Sequence, residues 1–167
     1  MQKAHATSTV PFQAISDGAQ SCRIQLFNPE IELQPGRLRI HVLFTNAGDT
    51  RAALKTALGM ATGLETEVAL IVTQIVPFPL PLDKPPVPLD FASEQIRRLA
   101  ESVSEGGPEL QGCIYLCRNP IETLLQELPA HSLIVIGVRP RWPFGKSKRL
   151  ARALRRNGHE VILANHG

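Results

Sequence analysis

Gly145-Lys146-Ser147, followed by Lys148, is the stretch of this chain whose residue types point most directly to chemistry. It lies between an apolar run ending at Gly137 and the helical pattern KRLARALRR. A helix start offers free amides and the positive end of a macrodipole, and a lysine adds charge, so phosphate is a natural guest. The Gly-Lys-Ser triplet also resembles the end of a P-loop, which needs a glycine five residues before Gly145. Pro140 stands there, without an N–H and with a fixed φ. An anion on Gly145, Lys146 and Ser147 thus competes with a plainer reading in which Ser147 only caps the helix.

The helix itself carries Lys148, Arg149, Arg152, Arg155 and Arg156 on one side and Leu150, Ala151 and Leu154 on the other. A DNA-recognition helix is expected after a helix and turn, whereas this one follows a strand. Trp142 and Phe144 offer rings for stacking, but prolines flank them in a tight loop. A solvated basic face is the blander account, and contact with an acidic membrane surface or protein partner is the sharper one.

Other groups carry less. Cys113 and Cys117 share one strand face and lack histidines at zinc spacing, so buried free thiols are expected and no metal is expected. His41 sits within an apolar run and reads as a packed core histidine. His131 and His159 fall near element ends, where solvated or capping roles are common. No Ser-His-Asp or Cys-His set and no spaced carboxylate pair is marked, which favours a non-enzymatic protein.

Several elements must position these residues. The chain has 167 residues, 43% apolar and 20% charged, which suits one globular domain. Three cysteines imply no disulfide framework, and no run has the length of a signal core or membrane span, so a cytoplasmic setting is expected. The net charge of +3 conceals an asymmetry. Residues 137–167 hold eight Lys or Arg against Glu160 alone, and residues 1–136 carry −4.

Residues 1–36 show little periodicity beyond CRIQLF (22–27), a candidate short strand, and read as a tail or loosely packed extension. Residues 37–167 read as one α/β domain. LRIHVLFT (38–45), VALIVTQIV (68–76), LQGCIYLC (110–117), SLIVIG (132–137) and EVILA (160–164) are expected as strands. Helices are expected over 50–64 with Asp49 or Thr50 as cap, over 91–104, after the Asn119 cap with Pro120 first, and over 147–156 before Asn157-Gly158. The proline-rich 77–90 segment is a loop. The alternation predicts a five-stranded parallel sheet with helices on both faces. Ligands then sit beyond the strands' carboxyl ends, at Thr45–Gly48, Ile75–Pro77, Arg118-Asn119 and the loop before Gly145.

The order of these motifs resembles the universal stress protein family from about Arg37 to Asn165. RIHVLFTNAGDTRAALKTALGMA is similar to its first strand and helix, VALIVTQIVP to its second strand, and RNPIETLLQEL to its Gly-Asp-Pro helix start. SLIVIGV, a basic loop, a helix and EVILA are similar to its end. The resemblance implies an adenine nucleotide α-hydrolase-like fold and a homodimer through the last strand, here Val161 to Ala164. In some branches it implies ATP, or another adenine nucleotide, between the ends of the first and fourth strands. The family's aspartate after the first strand falls on Thr45, and its adenine-contacting backbone position falls on Ile75. Its glycine loop begins at Gly137, meets Pro140 at the second glycine, runs three residues short, and places Ser147-Lys148 at the Gly-Ser pair, with Gly145 beside them. The implied role is a regulatory or stress-response module with an altered nucleotide or anion site. The alternatives are a dimeric interaction domain without nucleotide, as in a transporter's cytoplasmic part, and a nucleotide-processing enzyme.

Overall fold

The computed structural model describes residues 21–27, 37–104, 110–139 and 145–165. Apolar runs become strands β1 (Ser21–Phe27), β2 (Leu38–Leu43), β3 (Thr66–Ile75), β4 (Leu110–Cys117), β5 (Leu133–Val138) and β6 (Glu160–Asn165). Between them stand helices α1 (Ala47–Ala61), α2 (Leu89–Glu101), α3 (Pro120–Glu127) and α4 (Lys146–Arg156). The sheet order is β1-β4-β3-β2-β5-β6, parallel throughout except for β1, which runs antiparallel to β4.

The expected α/β architecture is therefore present, with six strands instead of five. The sixth is the 22–27 segment. Cys22, Ile24 and Leu26 alternate into the core, while Arg23 and Gln25 point the other way, a pattern suited to an edge strand with one covered face. β2 to β5 are nearly continuous apolar runs because helices cover both of their faces. On one face, Ala53, Leu54 and Ala57 of α1 and Ile96 and Leu99 of α2 pack on Val42, Leu70 and Ile114. On the other, Leu124 of α3 and Ala151 and Leu154 of α4 pack on Leu43, Ile71, Ile134 and Ile136.

The helix boundaries follow local chemistry. α1 begins one turn earlier than the apolar spacing predicts. Its N-cap is Asn46, whose side chain accepts from the Asp49 amide at 3.0 Å, so neither Asp49 nor Thr50 caps it. α3 starts as predicted, with Asn119 accepting from the amides of Ile121 and Glu122 at 3.1 and 3.4 Å. α4 ends at Asn157, and Gly158 adopts φ +86, a conformation glycine reaches without strain. Cys22, Cys113 and Cys117 are buried free thiols, and burial pushes each thiol pKa up. No described helix is long and apolar enough to cross a membrane.

Candidate functional site

The chain leaves β2 in opposite directions: β3 and β4 build one side of the sheet, β5 and β6 the other. Strand order reverses between β2 and β5, which pair from Ile40↔Leu133 to Leu43↔Ile136. At such a point the helices after the two strands diverge to opposite faces and leave a crevice at the carboxyl ends. A cleft of about 890 Å³ opens there.

Three helix N-termini reach the cleft. α1 brings Asn46 and Asp49, α3 brings Asn119, Pro120 and Ile121, and α4 brings Lys146, Ser147, Lys148 and Arg149. Each terminus has amides that its own helix cannot satisfy. The first two are capped by the side chains of Asn46 and Asn119, whereas no side chain caps α4, whose N-cap is Gly145. Lys148 and Arg149 donate their amides to the Gly145 carbonyl at 3.1 and 3.3 Å. The amides of Lys146 and Ser147 lie in the part of the turn that needs an outside acceptor.

The walls are mixed. Phe44, Ile75 and Leu150 give apolar surface, and Thr73 adds a hydroxyl-bearing side chain. Ile75 is 55% exposed, unusual for a large aliphatic residue at the end of an inner strand. The β3–α2 loop beside it is pinned by Arg118, which donates to the carbonyls of Val76 and Leu80 and lies 4.0 Å over the Phe78 ring. Arg118 thus shapes the loop. The cleft also holds one carboxylate. Asp49 is nearly buried, accepts from the Asn46 amide nitrogen, and has Arg139 Nε 3.6 Å from its Oδ1. Thr45 donates its backbone N–H to Thr50 Oγ1 at 3.1 Å, while its own hydroxyl oxygen is buried without a partner.

Among solved structures, the universal stress protein from Archaeoglobus fulgidus is 18% identical over 76% of this chain and 93% of that one, with a TM-score of 0.55. The fold is that of the universal stress proteins. Another universal stress protein, solved in complex with cAMP, is 16% identical over 78% of this chain and 98% of that one, with a TM-score of 0.46. No family model and no curated protein matches the sequence.

Within this universal-stress-protein fold, Thr45, Ile75, Gly145, Lys146, Ser147 and Lys148 line the same cleft. Gly137 is the exception. It packs beneath the cleft, where a Cβ would stand 1.9 Å from the Asp49 carbonyl oxygen. Its missing side chain lets α1 approach β5; it is no wall residue. Ser147 is the second residue of α4, so the capping role weighed for it is not the one it has. Pro140, Trp142 and Phe144, with the rest of the loop 140–144, lie outside the described residues. Sequence reasoning missed Asp49 as a cleft residue and marked Arg139 only as part of the loop before Gly145. Asp49 was legible only as a helix-start acid.

Among the described residues, His41, His131, His159 and the remaining buried charges sit elsewhere. His41 is 5% exposed in β2, and burial, Arg39 and His159 together hold its pKa down to about 4. His159 accepts the Ser132 amide at its Nδ1, and His131 Nδ1 lies 3.1 Å from the Gly158 carbonyl, so both histidines tie the β5 and β6 ends together. Among the described residues no group of three or more His, Cys, Asp or Glu side chains is placed to hold a metal ion.

Proposed function

We propose that this protein is a regulatory, stress-response module that binds an adenine nucleotide or another phosphate-bearing anion in the cleft between the ends of β2 and β5. The observation that carries the reading is the contrast among the three helix starts. Asparagine side chains already occupy the ends of α1 and α3, whereas the end of α4 is uncapped and flanked by Lys146 and Lys148. A phosphate there accepts the free amides of Lys146 and Ser147, meets the positive macrodipole and gains the lysine charges. The apolar side formed by Phe44, Ile75 and Leu150 suits a base. The Asp49 carboxylate lines the same cleft, beside Arg139, and limits how much negative charge the cleft accepts. The reading is one of binding and signalling, with no catalytic role assigned to any side chain.

Calorimetry with ATP, AMP, cAMP and pyrophosphate tests it. The expected result is saturable binding that weakens with salt and falls about tenfold in Lys146→Ala, the size of one phosphate-directed charge-assisted contact. Absence of binding by all four compounds would remove the reading.

A further inference from the structure

Large apolar residues are unevenly exposed in this fold. Among the described residues, Ile75, Phe78, Leu80, Val87 and Phe91 are exposed, and all five fall between the last residue of β3 and the first turn of α2. Hydrogen bonds gather four of them at the carboxyl end of β3. The Leu80 amide donates to the Pro77 carbonyl at 3.0 Å and closes a turn with Phe78 and Pro79 at its tip. Arg118, just after β4, holds that turn through the carbonyls of Val76 and Leu80. Gln74 Nε2 donates to the Val87 carbonyl at 3.4 Å and ties the far limb of the loop to β3. Phe78 is 80% exposed at the tip. Pro77, Pro79 and Pro81 restrict the backbone around it, so the ring is held out by a stiff turn.

Clustered apolar side chains in water mark a contact surface. The charge beside them identifies the contact. Ile75 borders the cleft whose wall carries Arg139, Lys146, Lys148 and Arg149, and the Arg118 guanidinium lies 4.0 Å over the Phe78 ring. Against these five cations the described residues set Asp49, buried beside Arg139, and Glu122 in the first turn of α3. Asp83 and Lys84 offset each other in the loop, and Asp90 lies in the first turn of α2. The described part of this end of the sheet therefore joins an apolar projection to an excess of positive charge.

We propose that this end of the sheet docks on an anionic lipid bilayer, with Phe78 and Leu80 entering the interface and Arg118, Arg139, Lys146, Lys148 and Arg149 meeting the charged headgroups. Peripheral attachment takes both features together, since apolar insertion or basic charge alone gives only marginal binding. Shape favours lipid over a partner protein. A ring at the tip of a turn needs, on a protein, a pocket cut to receive it, whereas a bilayer interface receives it in any rotation. The turn is already held by its own hydrogen bonds, so docking orders little additional chain. Phe78 and Arg118 lie outside the residues that line the cleft, and the inference stands apart from nucleotide binding.

Sedimentation of the full chain with vesicles tests this, using phosphatidylcholine alone and phosphatidylcholine mixed with phosphatidylserine. Binding is expected only to the mixed vesicles, weaker at higher salt, and reduced at least about tenfold in Phe78→Ser. A second readout follows depth. Phe78→Cys takes an environment-sensitive thiol dye selectively, because Cys22, Cys113 and Cys117 are buried. The dye's emission should shift to the blue on mixed vesicles and be quenched by doxyl groups on the lipid acyl chains. Absence of vesicle binding overturns the proposal. Binding that survives Phe78→Ser, or that leaves the dye unshifted and unquenched, is adsorption by charge alone and overturns it too. Equal binding to phosphatidylcholine alone removes the cations from the account and overturns it as well. Saturable binding of an alternating glutamate–leucine peptide, lost in Phe78→Ser and without any binding to vesicles, would assign the surface to an acidic protein partner instead.

Discussion

Gly137 of β5 lies against the backbone of Asp49 in α1, closely enough that a Cβ at 137 would also fall 2.9 Å from the Asp49 Cα. The obstacle is backbone, which cannot swing aside as a side chain can. Gly137→Ala must push the first turn of α1 off the sheet. The expected cost is about 2–3 kcal/mol, in the range of core overpacking. Urea denaturation measures it, and a change below about 0.5 kcal/mol would contradict the packing role.

Asp49 couples that turn to the cleft. Asp49→Asn removes a negative charge from the positive end of α1, at an expected cost of about 0.5–1 kcal/mol. The same change takes an anion out of a cleft proposed to bind anions. Affinity for ATP should then rise roughly three- to tenfold at low salt, as expected for one removed like charge at partly screened distance. Weaker ATP binding in a stable variant would show that Asp49 contributes directly to holding the ligand.

Arg39 and Glu67 face each other on β2 and β3 as an ion pair, with the Glu67 side chain 4% exposed and its second oxygen unpartnered. Removing only the cation leaves a buried carboxylate uncompensated. Arg39→Met should cost about 3–5 kcal/mol, and adding Glu67→Gln should restore most of it. Thermal unfolding of the single and double variants reads this directly, and equal losses in both would refute the coupling.

His41 makes stability depend on pH. Its folded pKa, about 4, lies below the unfolded value of 6.5 because burial and the nearby cations disfavour the imidazolium. Between those values the unfolded chain binds the proton and the folded chain does not. Stability is complete above pH 6.5, falls as pH drops through the window, and levels off below about 4 for this group. The loss amounts to about 3 kcal/mol. His159 is shifted in the same direction by its burial and by His131. Denaturation curves at pH 7 and pH 4.5 should diverge less in His41→Gln than in the parent, and identical divergence would exclude His41 as the source.

Much of this molecule was legible in local patterns. Apolar runs and amphipathic stretches set the order of β2 to β6 and α1 to α4, because the periods 2.0 and 3.6 are properties of neighbouring residues. Asn119-Pro120 and Asn157-Gly158 marked a helix start and a helix stop for the same reason. Thr45, Ile75 and Lys146 to Lys148 were marked as cleft residues because they follow strands or open a helix.

Other features depend on which segments become neighbours, and that is settled by strand order and register. The antiparallel docking of β1 on β4 needs a partner that CRIQLF does not name. The meeting of Asp49 with Arg139 and the close approach at Gly137 both arise from how β2 and β5 align. The sequence by itself determined the elements and the chemistry each carries. Only the tertiary structure decided which of those groups share a cleft, because contact between distant segments is fixed by packing the whole sheet and not by any short stretch of chain.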